Sequence, residues 1–174
     1  ARKLKRGGAN LLAGRAHVLE LYPFSTLELK EAFSLEQALA FGTLPKAVQA
    51  QTEQSKRRFL TAYALTYLNE EIKAEQIVRN LDPFRRFLEV SAQMSGKIIN
   101  CAAIANDVGV DEKTVKSYYQ ILEDTLLGKF LEPYHTSLRK RVSQKPKFYL
   151  FDTGVQRALS RNLTIPVVEG TSAY

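Results

Sequence analysis

The sequence holds a single cysteine and only two histidines among its 174 residues. One thiol cannot close an intrachain disulfide, and Cys101 alone rules out Cys-rich metal sites. Set in an apolar run between Ile99 and Ala102, it reads as a small buried filler, and its lone thiol fits a reducing cytoplasm. His17 and His135 stand far from each other and outside any cluster with metal-ligand spacing. No Ser/His/Asp or Cys/His arrangement is visible, so no catalytic site is expected from this chain alone. No apolar run reaches the length of about 18 residues that a membrane-spanning helix needs. The opening ARKLKRGGAN lacks the apolar core of a signal peptide, and no membrane partner is expected. A Gly-x-x-x-x-Gly-Lys-Ser/Thr loop is absent too, so the chain does not cradle a triphosphate by that route.

What is present is apolar content and positive charge. Apolar residues make up 45% of the chain, enough to bury a core, and 25 lysines and arginines against 18 acids leave a net charge of +7. That excess favours polyanionic partners. The chain opens in a basic, turn-rich stretch without an initiator methionine and closes on VVEGTSAY, so it is expected to be an internal piece of a longer protein.

Residues 17–21 form a short apolar run before Pro23 and read as a strand. Residues 26–41 carry apolar positions at helical spacing, and Gly42-Thr43-Leu44-Pro45 breaks the pattern. From 52 to 78 the positions Leu60, Tyr63, Ala64, Tyr67, Leu68 and Ile72 recur at three and four, which predicts one long helix with a single buried face. Asp82-Pro83 looks like the start of the next helix, Asp82 as its cap, and the stripe continues to Ser95-Gly96.

Ala105, Gly109 and Val115 have the spacing of a helix-turn-helix: a small residue, a turn glycine, then a buried aliphatic. The expected helices are 99–108 and 112–127, with Asp111 capping the second. After Gly128 the pattern becomes strand-like at Phe130-Leu131-Glu132-Pro133-Tyr134 and Phe148-Tyr149-Leu150-Phe151, around a basic polar stretch. Two strands after a helix-turn-helix predict a winged helix. With Val115, one of Tyr118 and Tyr119, and Leu122 inward, the second helix presents Lys113, Thr114, Lys116, Ser117 and Gln120 outward. Lysines suit phosphates, and Gln120 suits a base edge. The wing adds Arg139, Lys140, Arg141, Lys145 and Lys147, five cations within nine residues. Asp111, Glu112, Glu123 and Asp124 bracket the same helix and would repel DNA there, which keeps docking of a protein as a rival.

Taken in order, LLAGRAHVLELYPFSTLE at 11–28, FGTLPKAV at 41–48, the helix-turn-helix through ILEDTLLGKFLEPY, and PKFYLFDTGV at 146–155 carry a resemblance. The chain is similar to the middle portion of a prokaryotic AAA-like, archaeal-type P-loop ATPase family. The resemblance implies ATP and magnesium in the longer protein, bound upstream of this chain, with none expected in the fragment itself. It implies Arg15 as a candidate arginine finger at a nucleotide's terminal phosphate, the alternative being that Arg15 caps a helix or pairs with Glu20. It also implies that PKFYLFDTGV opens a restriction-endonuclease-like, PD-(D/E)xK-type domain, with Asp152 as a candidate first metal-binding acid. The residue types at Asp152-Thr153-Gly154 equally suit a plain turn after a strand.

The expected architecture is therefore mainly α with a small β component: a helical lid-like region, then a winged helix-turn-helix, with stubs of flanking α/β domains. The corresponding divisions are an ATPase-core remnant at 1–24, a helical connector at 25–94, the winged helix at 95–152 and the start of a truncated nuclease-like domain at 153–174. The expected function is a regulatory, DNA-docking segment of an ATP-dependent switch that binds double-stranded DNA. The alternatives are a scaffold for a protein partner or self-association, and part of a nuclease.

Overall fold

The computed structural model describes residues 21–67, 80–134, 136–137 and 144–169. Within them the protein is mainly helical, with one two-stranded sheet. The 17–21 strand prediction, the remainder of the predicted 52–78 helix beyond Tyr67 and both histidines fall largely or wholly outside these residues.

The predicted 26–41 helix is interrupted. Helix α1 (Thr26–Leu29) is opened by a capping box, in which the Ser25 hydroxyl accepts from the Glu28 amide and the Glu28 carboxylate from the Ser25 amide, and a 3-10 turn follows at Lys30–Ala32. The chain then extends through Phe33 and Ser34, and the Ser34 hydroxyl accepts from the Gln37 amide to start α2 (Leu35–Phe41). A serine competing for backbone amides begins a new helix where apolar spacing suggested a continuous one. Pro45 occupies the first position of α3 (Pro45–Gln49). Helix α4 (Glu53–Ala62), capped by Thr52, widens into a π-helical turn at Tyr63–Tyr67.

Helix α5 (Leu81–Gln93) has its cap two residues before the predicted one. Asn80, not Asp82, is the N-cap, and its side chain accepts from the Asp82 amide. Helices α6 (Cys101–Val108) and α7 (Glu112–Asp124) form the predicted pair, capped by Asn100 and Asp111. Gly109 between them has φ +76°, a left-handed conformation that glycine adopts without a Cβ penalty. Helix α6 begins at Cys101 because Ile99 is already engaged in the sheet, and α7 ends at Asp124, before Leu126 turns to φ +62°.

Strands β1 (Gly128–Leu131) and β2 (Lys147–Leu150) pair antiparallel, with Lys129 opposite Tyr149 and Leu131 opposite Lys147. The other edge of β2 is covered by the segment before α6. Ile98 bridges to Lys147, the Ile99 amide donates to Pro146 O at 3.0 Å, and the Gly96 amide donates to Phe148 O at 2.7 Å.

Two apolar clusters hold these elements. The larger joins α5, α6, α7 and the inner face of the hairpin through Phe87, Tyr119 and Phe148, each fully enclosed. Their rings meet edge-on at 4.8 Å, an arrangement that adds about 0.5–1.5 kcal/mol per pair beyond the area buried. The smaller cluster gathers Phe41, Ala47 and Leu60 with Val155 and Leu163. Val155 belongs to α8 (Thr153–Leu159), which packs on α2, α4 and α5. Two packings cross the predicted divisions. Helix α8, at the start of the predicted 153–174 segment, packs against α2, more than a hundred residues earlier. Phe84, Phe87 and Leu88 of α5, from the predicted 25–94 connector, lie inside the core formed with α6 and α7.

Candidate nucleic-acid interface

The outward face of α7 follows from its inward one. Val115, Tyr118, Tyr119, Ile121 and Leu122 are buried, so Lys113, Lys116, Ser117 and Gln120 are exposed and Thr114 is half-buried. Several of these side chains are already engaged. Thr114 Oγ1 donates to Asp111 at 2.7 Å while its amide completes the cap at 2.8 Å, and those two bonds hold the Asp111 carboxyl below its ordinary value. Lys116 Nζ lies 2.6 Å from Glu112 Oε1, and hydrogen bonding to that carboxylate holds the ammonium above its usual range. Gln120 Nε2 donates to Asp124 Oδ1 at 3.1 Å. Lys113 and Ser117 project from the same face with no ion pair or hydrogen bond among the described residues. Helix α7 with its cap carries two lysines against the four carboxylates of Asp111, Glu112, Glu123 and Asp124. It is therefore no cationic surface.

The hairpin has the opposite balance. Between Gly128 and Lys147 the sequence carries six cations and one carboxylate, Glu132. Lys129, Lys145 and Lys147 are exposed, and none has an ion pair among the described residues. Lys129 was missed as a candidate, although it alternates with inward Phe130 as a strand's period of two requires. Arg139, Lys140 and Arg141 lie outside the described residues, as does Arg15.

Asp152 is placed at a joint. Its Oδ1 accepts from the Val155 amide at 2.9 Å as the N-cap of α8, and its Oδ2 accepts from the Thr43 amide at 2.8 Å. The side chain is buried, and loss of solvation pushes its carboxyl above the ordinary value against the pull of those amides. Of the two readings of this residue, the structure supplies the contacts of the turn-and-cap one. Among the described residues no group of three or more His, Cys, Asp or Glu side chains is placed to hold a metal ion. Cys101, predicted as a buried filler, is instead half-buried at the start of α6, and burial raises its thiol pKa. No helix of the described residues is long and apolar enough to cross a membrane.

The chain is 24% identical over 148 residues to uncharacterized proteins of Mycobacterium bovis and Mycobacterium tuberculosis. The match covers 85% of this chain and 33% of each relative, so the chain spans about a third of the length of the curated relatives it matches. No solved structure matches. Residues 32–164, from the 3-10 turn through the segment after α8, match the family described as Domain of unknown function (DUF8612), and the chain belongs to that family.

Proposed function

We propose that this domain is a winged helix-turn-helix that docks on double-stranded DNA, with the hairpin rather than α7 as its principal contact. The observation that carries the reading is the charge partition: six cations against one carboxylate along the hairpin, beside two against four along α7 and its cap. Phosphate contacts dominate DNA affinity, so the cationic element leads and Lys113 and Ser117 contribute at its flank. The order of elements supports the fold part of the reading, since a helix, a bridging segment, two helices and a hairpin follow one another from Leu81 to Leu150. Control by ATP in a longer protein rests on the resemblance of residues 11–28, and loss of ATP hydrolysis in an Arg15→Ala variant of that longer protein is its test.

The experiment is a salt titration of duplex binding by the full chain. Changing Lys129, Lys145 and Lys147 to Ala is expected to lower the slope of log affinity against log salt by about 0.9 for each phosphate no longer neutralised. The same change at Lys30 and Arg58, exposed in the other half of the domain, is expected to leave it unaltered. Equal slopes for both variants would reject the proposal. The protein-docking rival draws on a cleft of about 390 Å³ beside β1, where Gln120, Glu123 and Asp124 face Leu126 and Tyr149. It becomes the better reading if duplex DNA does not bind at all.

A further inference from the structure

At the loop end of the paired strands, where Ile98 bridges to Lys147, an open cleft of about 590 Å³ is lined by Ile98, Leu131, Pro133 and Tyr134, with Lys145 and Lys147 beside them. Its apolar side chains are exposed. Tyr134 is 92% exposed, Ile98 59% and Leu131 56%. Contiguous exposed apolar groups mark a binding surface more often than chance. The two lysines decide which kind. A neutral apolar partner would leave their ammonium groups without a counter-charge, whereas a polyanion whose units carry flat apolar faces satisfies both features. Nucleic acid has such faces only where its bases are unpaired, because in a duplex they are stacked on one another.

Resting on the DNA-docking reading, we propose that this cleft receives an unpaired base. The preferred ligand is then a duplex with an adjoining single-stranded segment, such as a tail or fork, rather than a continuous helix. Tyr134 stacks on the base, Leu131 and Ile98 form the floor, and Lys145 and Lys147 hold the phosphates on either side. Lys129, on the outward face of the same hairpin, remains available to the paired portion.

The test measures binding of the full chain to a short blunt duplex and to the same duplex bearing a single-stranded tail, with a fluorescent purine analogue at the first unpaired position. The tail is expected to tighten binding on the order of ten-fold and to quench the analogue. Tyr134→Ala is expected to abolish both effects and leave blunt-duplex affinity unchanged, while Tyr134→Phe, which keeps the ring, retains them. Tyr134 is nearly free of protein contacts, so the variant is expected to melt with the wild type. Equal affinity for tailed and blunt DNA, or a tail advantage that survives Tyr134→Ala, overturns the cleft proposal and leaves the docking reading standing. Failure of both DNAs to bind overturns both readings. A third arm offers a synthetic peptide rich in Glu and Leu; its binding, lost in Tyr134→Ala while neither DNA binds, assigns the cleft to an acidic protein segment instead.

Discussion

Replacing Asp152 with Ala removes two bonds that lie far apart in the chain. The first is the cap of α8, a contribution of about 0.5–2 kcal/mol. The second is the acceptor for the Thr43 amide in a partly buried turn, and leaving such a donor unmet costs about 1–3 kcal/mol. Removing a buried carboxylate returns some stability, because its charge is poorly solvated where it sits. The expected net loss is about 2–4 kcal/mol, or roughly 5–15 °C in Tm for a chain of this size. Thermal and urea unfolding followed by circular dichroism measure it. The same residue sets a pH signature. Its pKa is raised in the folded state, so the folded protein binds this proton more tightly than the unfolded chain does. Stability from this group is full below the unfolded value and declines as pH climbs through the folded one. Asp152→Ala is expected to lack that component of the decline above about pH 4. A variant melting within about a degree of the wild type, or sharing its pH slope, would refute the assignment of Asp152 as a joint.

Other positions make independent tests. The Tyr119 hydroxyl is buried with no hydrogen-bond partner among the described residues, so Tyr119→Phe is expected to be neutral or to stabilise by up to about 1 kcal/mol in urea unfolding. Gly154→Ala would set a Cβ 2.1 Å from the Phe41 carbonyl oxygen, a backbone atom that cannot step aside, so a loss of about 1–3 kcal/mol is expected despite alanine's better helix propensity. Gly109→Ala meets no atom within 4 Å and carries only the penalty of its positive φ, about 1–2 kcal/mol, which a melting curve would register without change in DNA binding.

The parts of the fold legible in the sequence are those encoded over three or four residues. Ala105, Gly109, Asp111 and Val115 announced their helices because capping, a left-handed turn and a buried stripe are local requirements. The alternation around Phe130 and Phe148 announced the hairpin for the same reason. What periodicity could not carry was partnership across the chain. Nothing near Asp152 indicates that its second oxygen meets Thr43, nor does anything near Gly154 indicate that α8 lies against Phe41. The face of α7 was legible as exposed, yet the spacing of Glu112 to Lys116 and Gln120 to Asp124, four residues each, also signalled that these groups would pair along the helix. Asn80 was overlooked because Asp82-Pro83 presented a second plausible start two residues later.

Phe151 and Leu159 pack against both apolar clusters at once. The two halves therefore share side chains rather than merely touching, and melting of one strips cover from the other, so a single cooperative transition is the natural outcome. It follows that a fragment trimmed to residues 95–152 would be born with Tyr118 and Tyr119 missing their Phe84 and Phe87 neighbours, and that the smallest self-sufficient piece has to carry the early helices along with the hairpin.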